Sequence, residues 1–119
     1  MPDDLPVMEF ISGMELREWL TQNHSTSPGI WIRVFHKRSK LASVTFEELL
    51  DEGLCFGWSE SMRRKFDDVS YLQRFTRRKK MGTVSTRNLD RVKQLKSANR
   101  MADAGFLALG ITGKEVNRD

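Results

Sequence analysis

The chain has 119 residues, of which 39% are hydrophobic and 30% charged, with a formal net charge of +4. That length and apolar content fit one folded domain spanning residues 1–119 and exclude a disordered chain, and no apolar run approaches the ~20 residues of a membrane-spanning helix. Cys55 is the single cysteine, which excludes an internal disulfide and a multi-cysteine zinc site.

The opening Met-Pro-Asp-Asp-Leu-Pro-Val-Met-Glu-Phe is acidic where a signal peptide is basic, and no apolar segment follows it; a cytoplasmic location is expected. Ser12 and Glu15 have the spacing of a capping box, and Leu16, Trp19 and Leu20 continue as a helical stripe that fades near Asn23 or His24. Gly29-Ile-Trp-Ile-Arg-Val-Phe-His-Lys37 alternates with the period of a strand. Thr45 and Glu48 form a second capping box, after which Phe46, Leu49, Leu50, Gly53 and Leu54 share one helical face. Residues 56–66 and 69–78 flank the acidic pair Asp67-Asp68 as the two arms of a hairpin. Ser85 is placed to cap a third helix with Leu89, Val92 and Leu95 inward, and a last short helix holds Phe106 and Leu109. The expected order α-β-α-β-β-α-α defines an α+β domain: a small three-stranded, mainly antiparallel sheet packed against three to four helices.

Charge is unevenly distributed. Residues 1–60 carry ten Asp/Glu and five Lys/Arg, whereas residues 61–119 carry six and fifteen, so the halves are −5 and +9. The run Arg74-Phe-Thr-Arg-Arg-Lys-Lys80, with Arg87, Arg91, Lys93 and Lys96 beyond it, can track the phosphates of a nucleic acid, or be only a solvated basic face. For a cationic peptide the better surface is the acidic half, with Glu47, Glu48, Asp51 and Glu52.

Within the hairpin, Phe56, Trp58, Glu60 and Met62 alternate onto one side of the first strand, and Leu72, Arg74, Thr76 and Arg78 onto one side of the second. If the two sides coincide, a ring, a carboxylate and two guanidinium groups form a patch suited to an anion; the bland alternative is a cross-strand Glu-Arg pair beside a core tryptophan. Ser85 and the free amides of its helix can add a phosphate site, with Asn88 in the same first turn. The candidate ligand-binding set is therefore Trp58, Glu60, Arg74, Arg78, Ser85 and Asn88. Cys55, between Leu54 and Phe56, reads as an inert buried thiol, or as a nucleophile should a base stand beside it. His24 and His36 are too far apart in sequence, and lack acidic helpers at a known spacing, for a metal site. No catalytic residue, metal or cofactor is assigned.

Trp19-Leu20, Asn23-His24, Gly29-Ile-Trp-Ile, Lys37, Leu54-Cys-Phe-Gly-Trp58 and Arg74-Phe-Thr-Arg-Arg78, continued by Ser85, Asn88, Met101 and Ala104-Gly105, resemble the YdeI/OmpD-associated family, also called bacteriocin-protection proteins. The likeness spans about residues 8–110 and departs from the family pattern at Ser59-Glu60, Arg77 and Val84. It implies a bacterial role in resistance to antimicrobial peptides or bacteriocins, with an envelope protein as a partner, and carries no known reaction. The expected function is a non-enzymatic binding module for an anionic small ligand or a protein partner. A nucleic-acid-binding protein and a small enzyme using Cys55 or Glu60 are the alternatives.

Overall fold

The computed structural model describes residues 5–78 and 86–108. Its elements are β1 (Val7–Glu9), α1 (Gly13–Asn23), β2 (Ile30–Phe35), a 3-10 turn at Lys37–Ser39, α2 (Phe46–Phe56), β3 (Trp58–Lys65), β4 (Ser70–Arg77), α3 (Thr86–Ser97) and α4 (Asp103–Ala108). The α+β class holds, but the sheet is not the expected three-stranded, mainly antiparallel one. It has four strands in the order β1-β2-β4-β3, with β1 parallel to β2 and the other pairs antiparallel. The extra strand is three residues long, too short to show a period. It exists because β2 offers an unpaired edge, where the Trp31 N–H donates to the Pro6 carbonyl at 2.8 Å.

The helix starts follow their local chemistry. Thr45 and Glu48 form both bonds of the capping box that opens α2. At α1 the Ser12 hydroxyl accepts from the Glu15 N–H, while the Glu15 carboxylate accepts from the N–H of Ile11 rather than that of Ser12. The helix α2 stops at Gly57, whose φ of 77° lies in the left-handed region that glycine tolerates. Leu109 lies outside the described residues, as does Ser85.

One face of the sheet is the core. Ile30, Ile32 and Val34 of β2, Tyr71 and Phe75 of β4 and Trp58 of β3 pack with Leu16 and Leu20 of α1, Leu49 and Leu54 of α2, and Val92 and Leu95 of α3. Each such buried side chain contributes about 1.5–3 kcal/mol relative to exposure. The pairs Trp31↔Arg74, Arg33↔Leu72 and Arg64↔Leu72 lie on the opposite face, because directly opposed residues share a side. Trp31 is buried as well, on this opposite face and outside the cluster that the helices cover. Among the described residues, no helix is long and apolar enough to cross a membrane.

Candidate functional site

The helix α2 crosses close to the start of β3 because Gly53 has no side chain: a Cβ there would stand 2.7 Å from the Trp58 carbonyl oxygen. Beside this contact α2, α3 and the sheet border an open cleft of about 1040 Å³. Phe46, Leu50 and Leu54 line it from α2, Trp58, Ser59 and Glu60 from β3, Phe75 from β4, and Asn88, Asp90, Arg91 and Gln94 from α3, with Arg78 just past the end of β4. Trp58 stacks edge-on against Trp19 at 5.6 Å and lies 5.2 Å from Phe75. Its indole N–H donates to the His24 carbonyl and its side chain is buried, so it backs the cleft as packed core and offers it no donor.

Four of the six sequence-predicted residues, Trp58, Glu60, Arg78 and Asn88, line this one cleft. Arg74 does not. The register Glu60↔Phe75 and Ser59↔Thr76 sets Trp58 and Glu60 on the face opposite to Leu72, Arg74 and Thr76, so neither the expected patch nor a Glu60–Arg74 pair forms. Arg78 escapes this parity because the chain leaves the sheet there, with the Arg78 N–H donating to the Gly57 carbonyl at 2.9 Å. Phe56 belongs to α2 rather than to a strand, and an irregularity between Glu60 and Arg63 breaks the alternation before Met62. Ser85 lies outside the described residues.

The Glu60 carboxylate makes no hydrogen bond or ion pair among the described residues. Burial raises its pKa above the ordinary carboxyl value, against the opposing pull of the Arg63 and Arg78 charges. Across the cleft, Arg91 grips Asp51 through Nε to Oδ1 at 2.7 Å and Nη2 to Oδ2 at 2.5 Å, and reaches Gln94 with Nη1. This forked pair ties α3 to α2 and fixes the cleft's width. Sequence reasoning missed it, since the two residues stand forty positions apart and nothing local links them. With Asp51 and Arg91 neutralising each other, the lining carries Glu47, Glu60 and Asp90 against Arg78. That balance works against a simple anion.

The other sequence candidates separate. Cys55 is fully buried and its thiol pKa is raised by that burial and by the nearby Glu52 charge, which opposes a nucleophilic role. Of the acidic group expected to face a cationic peptide, Glu52 is 2% exposed, Glu48 is spent on the α2 cap and Asp51 on Arg91, leaving Glu47. The basic run does not form one track either: Arg77 donates to the Ser25 carbonyl, Arg78 faces the cleft and Arg91 is paired, while Lys79 and Lys80 lie outside the described residues. His24 is held at the Leu20 carbonyl and against Phe56, and His36 against Tyr71. Among the described residues no three His, Cys, Asp or Glu side chains are grouped to hold a metal ion.

Residues 8–108 match the family described as a domain of unknown function (DUF8412). The chain belongs to this family. No curated protein and no solved structure matches it. The span shared with DUF8412 runs from β1 to the end of α4 and takes in every residue that lines the cleft.

Proposed function

We propose that this DUF8412 protein is a non-enzymatic binding module whose cleft takes a small amphipathic ligand. The observation that carries the reading is the partly desolvated Glu60 carboxylate set in a cleft whose accessible apolar lining is the half-buried Phe46 and Leu50, backed by the buried rings of Trp58 and Phe75. Apolar walls with a few convergent polar groups are the usual make-up of a small-molecule site. Glu60 asks for a donor or a positive charge, and the Arg78 guanidinium and Asn88 amide, on the same cleft, suit a carboxylate or carbonyl. The ligand class is therefore an apolar body with a zwitterionic or amide-like head, such as a hydrophobic amino acid or the end of a peptide. In the same proposal, the resemblance to the YdeI/OmpD-associated proteins sets the module in bacterial resistance to antimicrobial peptides or bacteriocins, with an envelope protein as the partner.

The test is calorimetric titration with the dipeptide Leu-Leu, its N-acetyl form and its C-terminal amide. Free Leu-Leu is expected to bind with a Kd of roughly 10 μM–1 mM, or about −4 to −7 kcal/mol. N-acetylation and Glu60→Gln should each weaken it about tenfold, as expected for loss of one charge-assisted hydrogen bond. Absence of heat with all three peptides, or equal binding of free and blocked forms, would overturn the reading.

A further inference from the structure

At the hairpin end of the sheet lies a second recess, of about 420 Å³, which shares no lining residue with the cleft. There β3 and β4 pair Arg63 with Gln73 and Lys65 with Tyr71, on the face that carries the core. The 3-10 turn after β2 brings in Arg38, whose Nη2 donates to the Asp68 carbonyl at 3.1 Å. Just before that turn, the His36 ring lies 5.4 Å from the ring of Tyr71.

The donors of this recess are held in place and unspent. The Arg63 guanidinium stands 4.1 Å from the Tyr71 ring and 4.8 Å from that of Phe46, and its Nε donates to Gln73 Oε1 at 3.3 Å. Gln73 is 2% exposed and donates in turn to the Met62 carbonyl. Neutral groups therefore position this cation and leave its charge intact. Neither of its Nη atoms makes a hydrogen bond among the described residues. Tyr71 is 9% exposed, yet its hydroxyl has no hydrogen-bond partner among the described residues, and the His36 ring nitrogens have none either. Polar groups so nearly buried are normally paired, and the recess that Tyr71 lines is where a partner can meet this one.

Positive charge is in surplus here. Asp67 is consumed, since Oδ2 accepts from Arg33 and Oδ1 from the Ser70 hydroxyl and the Val69 N–H. Asp68 and Lys65 form only a long, exposed pair at 4.0 Å, which water loosens. Arg38, Arg63 and Lys65 against Asp68 leave the lining with two positive charges. Glu47 and Glu60 act on Tyr71 and Arg63 from the cleft without lining the recess, so they moderate the attraction and do not fill the site. We propose that the recess binds the phosphate group of a small phosphate monoester. Such a group carries about −1.5 to −2 at neutral pH, which matches the surplus, and its three terminal oxygens suit the Arg63 fork, the Lys65 ammonium and the Tyr71 hydroxyl. A carboxylate, with one charge and two oxygens, leaves part of this unmet. The volume is that of a small-molecule site. Apart from the His36 and Tyr71 rings the lining is polar, so the rest of the ligand is hydrophilic, such as a polyol or a sugar.

The experiment is a heteronuclear NMR titration of the full chain, following backbone amides, with glycerol phosphate, glycerol and a short peptide carrying phosphoserine. Glycerol phosphate is expected to move the amides of His36, Lys65 and Tyr71 with a Kd of roughly 0.1–1 mM at about 50 mM salt, the range that two or three charge-assisted hydrogen bonds support once the ordering of the ligand is subtracted. Glycerol should not bind. Tyr71→Phe removes an atom with no partner in the fold, and should weaken binding about threefold to tenfold without lowering the thermal midpoint. Arg63→Gln should cost about tenfold or more, and Lys65→Gln, on a side chain 79% exposed, about threefold with the fold untouched. The proposal is overturned if glycerol phosphate does not bind by about 10 mM, if glycerol binds equally, or if Tyr71→Phe and Lys65→Gln both bind as the wild type does. Tighter binding of the phosphoserine peptide also overturns it, pointing to a phosphorylated protein instead. Shifts confined to Ser59, Glu60 and Asn88 would set the anion in the cleft and overturn it too. Binding of Leu-Leu in the cleft does not depend on this outcome, so the two readings fail separately.

Discussion

Replacing Glu52 by alanine removes a carboxylate that holds three parts of the fold together. Glu52, 2% exposed on α2, accepts from Arg17 of α1 at 2.9 Å and from Arg100, between α3 and α4. Arg17 also donates to the Arg100 carbonyl at 2.6 Å and lies over the Phe56 ring. Each hydrogen bond to a charged partner is worth about 1.5–3 kcal/mol net, so losing two costs about 3–6 kcal/mol if both guanidinium groups stay dry. They do not: the Arg17 and Arg100 side chains are 25% and 37% exposed and can turn partly to water. The expected loss is therefore about 2–4 kcal/mol, below the full cost of stranding a wholly buried ion. Glu52→Gln, which keeps the shape and one acceptor, should lose about half of that. Urea unfolding followed by circular dichroism measures both, and in a thermal scan the alanine variant should melt roughly 6–20 °C lower. A loss below about 0.5 kcal/mol, the size of an ordinary surface substitution, would refute the reasoning.

Gly105→Ala places a Cβ 2.3 Å from the Cys55 carbonyl oxygen and 2.6 Å from that of Leu54, so α4 must lift from the end of α2; a loss of about 1–3 kcal/mol in urea is expected, and an unchanged midpoint would refute the close approach. For Glu60, burial sets the folded pKa above the ordinary value of 4.5. The folded protein thus holds the proton more tightly than the unfolded chain, and stability is greatest below that ordinary value and falls as pH rises through the folded pKa. Glu60→Gln should flatten this slope and raise the midpoint at pH 7 relative to the wild type. A steeper slope, or a lower midpoint at neutral pH, would contradict the assigned shift.

Features that act over a few residues were legible in the chain. The Thr45–Glu48 box and the face Phe46, Leu49, Leu50, Gly53 and Leu54 define α2, and Asp67-Asp68 marks the hairpin, because caps, helical periods and turns depend on neighbours in sequence. The cleft was partly legible for the same reason: Trp58 and Glu60 alternate correctly along one strand, and Asn88 opens the helix across from them. Gly105 was visible as part of a motif, but its purpose, contact with the Cys55 carbonyl, needs a partner fifty positions away.

Other features depended on a partner distant in sequence. β1 has no signal of its own and forms only against the free edge of β2. The register Glu60↔Phe75 sends Arg74 to the far face, since a shift of one residue exchanges the faces of a whole strand and the chain alone does not state the register. Asp51 and Glu52 are adjacent acids in the sequence, yet one closes a salt bridge across the cleft and the other is buried between two arginines. Their neighbours in the chain are nearly the same, and the difference comes from the helix, which turns them about 100° apart toward different packed elements. Local chemistry thus determined where α1 and α2 start and where the hairpin turns. Which face each side chain occupies, and therefore which charges meet in the cleft and which lie on the opposite side of the sheet, was decided only when those elements packed.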